Sequence, residues 1–444
     1  MTTPLHFVSP ARLVAGLIPA ALALALGGCG GGSSDSATYT LGGTVSALTA
    51  SGLILQSGTQ TLSVAANATS FAFTTAVSGS YDVTILTQPA GETCSVANAS
   101  GSSSGSAVTS VAVTCRPYGV YVANQGSNTI ATFSVGSAGA LTATPAATLA
   151  TPFMPDSIVV SSDGLRAWVA YLDDNLISSL TIDSSANVSL MSASAQAVSA
   201  GDVLALSPAG TSLYAAEYGA SEVSQFSIPT SGQLPTAPAT SVAAGVNPSA
   251  VAATADGAHL YVANASANTI SGYSLSSSGT PSAQTAASIS ISSSYGTGPK
   301  GLAVNPNGGY LYVTLSDSAK VVQYNVDAST GALTYHASVA TGTTPRGVTV
   351  APSGSYAYVA NYGSNTISQY TLLGGTLTPL STPTVAAGSH PVAIAISPDG
   401  AYAYVTNYGD ATISQYSISN GLLTPLATAS VSSHGSGPVS LAVR

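Results

Sequence analysis

Charge is nearly missing from this chain. Its 444 residues include 7 Lys and Arg and 16 Asp and Glu, so 5% are charged, against roughly 25% in an ordinary soluble domain. A chain with no basic surface cannot neutralise phosphates, so nucleic-acid binding is excluded, and the net charge of −9 points the same way. Long apolar runs are missing after the N-terminus, so nothing downstream can span a bilayer as a helix. Disorder is excluded too, because 45% of the residues are hydrophobic. No C-x-x-C pair occurs. The histidines beyond the N-terminal segment (His259, His336, His390 and His434) are scattered without ligand spacing. No metal and no cofactor are expected.

The N-terminus reads as an export signal. Arg12 precedes Leu13 to Leu26, an apolar run of 14 residues, too short for a membrane span and right for a signal core. Leu26-Gly27-Gly28-Cys29 resembles the bacterial lipobox, in which the Cys becomes the lipidated first residue. The resemblance implies a signal over 1–28 and a membrane anchor at Cys29. It also implies an outer-membrane lipoprotein, since Gly30 rather than Asp follows the Cys. Residues 29–37 are then a Gly/Ser tether.

That leaves Cys94 and Cys115, which in an exported protein read as a disulfide. Residues 38–117 alternate and turn like a small β-sandwich, with strands over 40–48, 53–64, 71–77, 81–87 and 108–115. Ig-like is the label that fits. Gly101 to Gly105 matches G-x-S-x-G, but the motif needs a strand, a turn and a helix. Here it is expected to be a Ser/Gly loop.

Residues 118–444 are seven copies of one unit. Tyr121, Trp168, Tyr214, Tyr261, Tyr312, Tyr358 and Tyr404 recur at spacings of 47, 46, 47, 51, 46 and 46. Pro155, Gly201, Pro248, Pro299, Pro345, Pro391 and Pro438 form a second series with the insertion in the same unit, at Ser292-Ser293-Ser294. Within one unit, Pro391 to Ile396 is a short apolar run suited to a strand buried on both faces. Ser397-Pro398-Asp399-Gly400 is a turn, and Tyr402 to Asn407 is the next strand. Four antiparallel strands per unit, repeated seven times, predict an all-β, seven-bladed propeller. The first unit lacks its Pro-apolar strand, and the last carries a surplus one over 438–443. That strand should complete the first blade and close the ring.

Tyr121-Val122-Ala123-Asn124, Tyr358-Val359-Ala360-Asn361, Tyr404-Val405-Thr406-Asn407 and the Ser-Pro-Asp-Gly turn resemble YVTN-type surface-layer repeats. They also resemble the seven-bladed β-propeller lactonases, the 6-phosphogluconolactonase and carboxymuconate-lactonising group. In those lactonases one blade supplies an Arg and a His at the start of its inner strand and a Glu after its second. Gly298 to Gly308 aligns with that blade. Lys300 stands where the Arg is expected, Gly301 where the His is, and Ser316 where the Glu is.

The repeat brings other candidates to the same rim. Asp156, Asp202, Ser249, Lys300, Arg346, Val392 and Val439 start the inner strands. Glu217 ends a second strand, and Tyr218, Tyr362 and Tyr408 follow three of them. Asp156, Asp202 and Glu217 should face Lys300 and Arg346 across the channel mouth, as a base and an oxyanion clamp could. Solvated rim charges are the plainer role for such residues. His390 precedes a rim Pro. The Tyr trio could stack on a sugar ring. Gly296 to Gly301 matches G-x-G-x-x-G without a following helix, so it is not a dinucleotide site. Asp173-Asp174 reads as a solvated turn. The loss of Glu at Ser316 favours a monomeric, lipid-anchored envelope platform that binds without catalysing. Two alternatives stay open: a lactonase-type hydrolase using Glu217 and Arg346, and a carbohydrate-binding module. A glycan or an envelope protein would be its partner.

Overall fold

The computed structural model describes residues 39–75, 79–89, 91–103, 106–136, 138–142, 147–172, 175–191 and 203–444. The export signal, Cys29, the tether, Asp173-Asp174 and Asp202 lie outside the described residues. Among those described, all elements are strands apart from one 3-10 turn at Gln125–Ser127, and no helix is long and apolar enough to cross a membrane.

The N-terminal module is two four-stranded sheets. One orders Ser70–Ala72, Leu41–Ser46, Val108–Pro117 and Glu92–Ala97; the other orders Gln60–Val64, Leu53–Ser57, Gly79–Thr87 and Ser100–Ser103. Leu41, Leu53, Leu55, Val83, Val111 and Val113 meet between them in one core. Cys94 and Cys115 are direct partners across an antiparallel pair and are bonded as a disulfide. Two expectations need correction. The 53–64 segment is a hairpin, turned at Gly58. The Ser/Gly stretch at 100–103 is a strand, because its backbone finds a ladder against Gly79 to Asp82. A ladder partner overrides weak local propensity.

The rest of the chain is a ring of seven four-stranded blades. In blade 2 the strands run from the axis outward as Pro155–Val160, Arg166–Tyr171, Ile177–Ile182 and Val188–Leu190. Inner strands of blades 3 to 7 are Val203–Leu206, Pro248–Ala253, Pro299–Val304, Pro345–Val350 and Pro391–Ile396. Blade 1 joins both ends of the ring. Its inner strand is Pro438–Val443, paired with Gly119–Asn124 from Pro438 opposite Asn124 to Val443 opposite Val120. Each inner strand touches its neighbours around the axis.

The second strands, not the inner ones, are buried on both faces. Gly119–Asn124, Ser212–Glu217 and His259–Asn264 are buried at every position. Pro391–Ile396 is only half-buried at four of its six positions. Inner strands line the channel, so one face stays near water; second strands are covered by a blade on each side. Apolar composition alone does not separate the two cases.

The repeated aromatic ring is a clasp between blades. Tyr214, Tyr261, Tyr312, Tyr358 and Tyr404 donate their phenols to the carbonyls of Gly279, Gly331, Gly375, Gly421 and Gly139 in the next blade, at 2.8, 2.6, 3.0, 2.8 and 2.6 Å. Trp168 Nε1 does the same to Gly232 at 3.1 Å. A second set points back: Tyr273, Tyr370 and Tyr416 donate to Ala243, Ala340 and Ala386 in the preceding blade. Tyr324 belongs to that set by position. Its buried hydroxyl has no partner; the Tyr335 ring packs edge-on to it, and Tyr295, just after the extra residues, stacks on Tyr335. Two chemically identical substitutions should therefore differ. Tyr358→Phe leaves a buried carbonyl unpaired and should cost about 1–3 kcal/mol in urea unfolding, whereas Tyr324→Phe should stay within about 0.5 kcal/mol of wild type. Equal losses would remove the clasp from the account.

The module meets the ring on its lower face. Tyr118 N–H donates to Gly91 O at 2.8 Å, and Gly91 N–H reaches the carboxylate of Asp399, in a lower turn of blade 7, at 3.4 Å. The upper face is left to the candidate site.

Candidate functional site

Antiparallel blades place inner-strand starts and second-strand ends on the same upper rim. A register shift follows the Pro in the blades whose inner strands begin at Pro155, Pro248, Pro299, Pro345, Pro391 and Pro438. A bulge frees a residue from the ladder and re-aims its side chain. The freed positions include Asp156, Ser249, Lys300, Arg346, Val392 and Val439. Just before the Pro, Asn247, Gly298, Thr344, His390 and Gly437 have φ of 58°, 74°, 50°, 54° and 59°. Three of these, Asn247, Thr344 and His390, are non-Gly residues held left-handed at a rim, where such strain tends to concentrate.

Asp156 is half-buried and accepts a hydrogen bond from Gln125 Nε2 at 2.9 Å. Burial pushes its carboxyl up to about 6, and the Lys300 ammonium pulls the other way. A carboxyl poised there is ionised at neutral pH yet holds a proton readily, as a general base should. Lys300 is exposed.

Arg346 is half-buried and stacks on Tyr362, with its guanidinium carbon 3.8 Å from the ring centroid. The Tyr362 and His390 rings lie 4.5 Å apart. Burial lowers the Arg346 pKa, and the Tyr362 and Tyr408 phenols oppose that shift. Tyr408 and Tyr218 are exposed at the rim, at 39% and 45%. Ser249 is used structurally; its hydroxyl donates to Pro299 O at 2.8 Å.

Glu217 sits differently. At the equivalent end of the second strand, Asn264, Asn361 and Asn407 are fully buried latches, donating to the hydroxyls of Ser271, Ser368 and Ser414 at 3.0, 2.9 and 2.8 Å. Glu217 is 6% exposed, and the equivalent hydroxyl, on Ser224, donates to its carboxylate. It fills the latch position of its blade. Gln125 escaped the sequence reading. It follows its second strand as Tyr218, Tyr362 and Tyr408 follow theirs, so the repeat alignment carried the signal.

Among the described residues no three His, Cys, Asp or Glu side chains group as metal ligands. A cleft of about 300 Å³ lies away from the rim, between module and ring, and includes Gln88, Arg116 and Asp163 in its lining.

The family model described as Lactonase, 7-bladed beta-propeller, matches residues 233–340 and 334–443. The ring is a lactonase-like seven-bladed propeller. No curated protein matches the chain. Among solved structures, a candidate 6-phosphogluconolactonase of Bacteroides fragilis is 19% identical with a TM-score of 0.65, covering 74% of this chain and 98% of its own. One from Bacteroides uniformis is 21% identical with a TM-score of 0.65, over 74% and 99%. The periplasmic gluconolactonase of Pseudomonas aeruginosa is 18% identical with a TM-score of 0.61, over 73% and 98%. At these identities the likeness is one of fold.

At Gly301, blade 5 of this lactonase-like ring has no room for the His of the lactonase pattern. A Cβ at Gly301 would lie 2.2 Å from Arg346 O, so a His there needs blade 6 to move. The Thr314 hydroxyl fills the gap, accepting from Gly301 N–H at 2.7 Å and donating to Arg346 O at 2.6 Å. Ser316 Oγ donates to Asp317 at 2.9 Å. Asp317 in turn packs against Gly298, where a Cβ would lie 2.6 Å from its carboxyl carbon.

Proposed function

We propose that the upper rim binds and hydrolyses a lactone, with Asp156 as general base and Lys300 as the cation facing the developing oxyanion. The observation that carries this reading is Asp156 itself: a bulge-aimed carboxyl, held by Gln125, raised to about 6 by burial and coupled in charge to Lys300. The Asp156 carboxylate takes a proton from water as its oxygen attacks the lactone carbonyl. Lys300 stabilises the tetrahedral oxyanion. The ring C–O bond breaks, and the proton on Asp156 passes to the leaving alkoxide, giving a hydroxy acid. Glu217, the sequence candidate, is assigned to the blade latch instead. The gluconolactonase activity named for the Pseudomonas aeruginosa neighbour is chemistry of this class. The export signal and Cys29 would place the enzyme in the cell envelope.

A second reading is a binding platform without turnover. Ser316, standing where the lactonases carry Glu, favours it. Lactone hydrolysis by the purified protein separates the two. Turnover of D-glucono-1,5-lactone above the buffer rate, falling about 100-fold or more in Lys300→Ala, is expected of the hydrolase. A folded protein with no turnover is the platform.

A further inference from the structure

The rim carries one cation more than a simple lactone needs. Of the six Lys and Arg among the described residues, Lys300 and Arg346 both occupy bulge positions at the channel mouth. They arise from neighbouring points, since one hydroxyl, Thr314 Oγ1, bridges the backbone of Gly301 to that of Arg346. Neither has a carboxylate within 4 Å among the described residues; Lys300 feels Asp156 only at longer range. Two cations on adjacent inner strands give the mouth two anchor points for oxyanions.

Arg346 is also pre-oriented. Its guanidinium carbon sits over the Tyr362 ring at 3.8 Å, and the His390 ring lies 4.5 Å from that of Tyr362. A guanidinium held against an aromatic ring keeps N–H groups that can take a carboxylate in a two-bond fork. Tyr408, exposed in the next blade, offers a wall for a ring.

We infer that the ligand is a lactone of a sugar diacid, which keeps a second, free carboxylate and delivers it to Arg346 while its carbonyl oxygen faces Lys300. This rests on the lactone reading of the rim. The inference separates two roles: Lys300 serves the reacting carbonyl, and Arg346 reads the remote end of the substrate.

The test is a matched pair of substrates. D-glucaro-1,4-lactone and D-glucono-1,4-lactone differ only in a carboxylate against a hydroxymethyl group at C6. Wild-type protein should hydrolyse the first with a kcat/KM more than about tenfold above the second, the scale of a hydrogen bond to a charged group. In Arg346→Ala that ratio should fall to near one. In Arg346→Lys, which keeps charge but not the fork, it should lie between. A wild-type ratio near or below one would overturn the inference, and so would a ratio that Arg346→Ala leaves unchanged. If neither lactone is turned over, the hydrolase reading has failed by itself. Calorimetry with D-glucarate against D-gluconate then decides the carboxylate site. Glucarate binding that Arg346→Ala abolishes sustains it, and equal or absent binding of the two acids ends it.

Discussion

A chain ending at Gly437 is expected to lose the whole ring, not one strand. Pro438–Val443 pairs along all of Gly119–Asn124, and Arg444 exchanges two further backbone hydrogen bonds with Gly119, at 3.0 and 2.6 Å. Leu441 and Val443 are 8% and 7% exposed, packed with Tyr118, Val120 and Phe133 from the other end of the chain. Each such side chain is worth roughly 1.5–3 kcal/mol of burial. Their removal also opens the contacts to the inner strands of blades 2 and 7. The sum is on the order of 5 kcal/mol or more, comparable to the entire stability of an ordinary domain. Because each blade depends on its neighbours for cover, the loss should spread. Calorimetry should show the cooperative transition displaced by more than about 10 °C or gone. Leu441→Ala, with the strand in place, should cost about 2–4 kcal/mol and give a graded result. An unchanged melting temperature in the truncated chain would mean that blade 1 is dispensable for closure.

This closure was legible in the sequence because it is a matter of counting. A unit short of its first strand and another with one too many can balance only across the ends. The second-strand boundaries at Asn124, Glu217 and Asn407 were legible too, since buried aromatic and Val positions repeat in register with them. Roles were harder to read than positions. Asn361 and Glu217 look equally like rim residues in an alignment, yet both are held in latches that face Ser hydroxyls of the adjacent strand. Inner and second strands have the same apolar composition, and only stacking in space decides which one lines water. The bulge after each rim Pro has no composition signal, although it aims Asp156, Lys300 and Arg346. The bulge is an out-of-register pairing, the latch is a side-chain contact across a hairpin, and Gln125 meets Asp156 from the neighbouring blade.

Asp156→Asn is expected to slow hydrolysis severely and to stabilise the protein at neutral pH. The two effects have one cause. The Asp156 carboxyl titrates at about 6, above its ordinary 3.8, because burial disfavours its charge. Below the unfolded value the group is protonated in both states and costs nothing. As pH rises from 3.8 towards 6 the unfolded chain ionises first, so folding stability falls. Above the folded value the full cost remains, on the order of 3 kcal/mol. The asparagine variant carries no such cost. Urea unfolding at pH 7.5 should therefore show it more stable than wild type by roughly that amount, and at pH 3.5 the two should converge. Activity moves the other way. A base acts only when ionised, so wild-type kcat/KM should fall on the acid side through a pKa near 6. Removing the base should lower turnover on the order of 100- to 10,000-fold. Stability gained with activity lost, at the same residue and over the same pH window, is the mark of a group kept for chemistry. A variant that loses activity without gaining stability at pH 7.5 would point to a positioning role for Asp156, and one that gains stability while retaining turnover would remove it from the reaction.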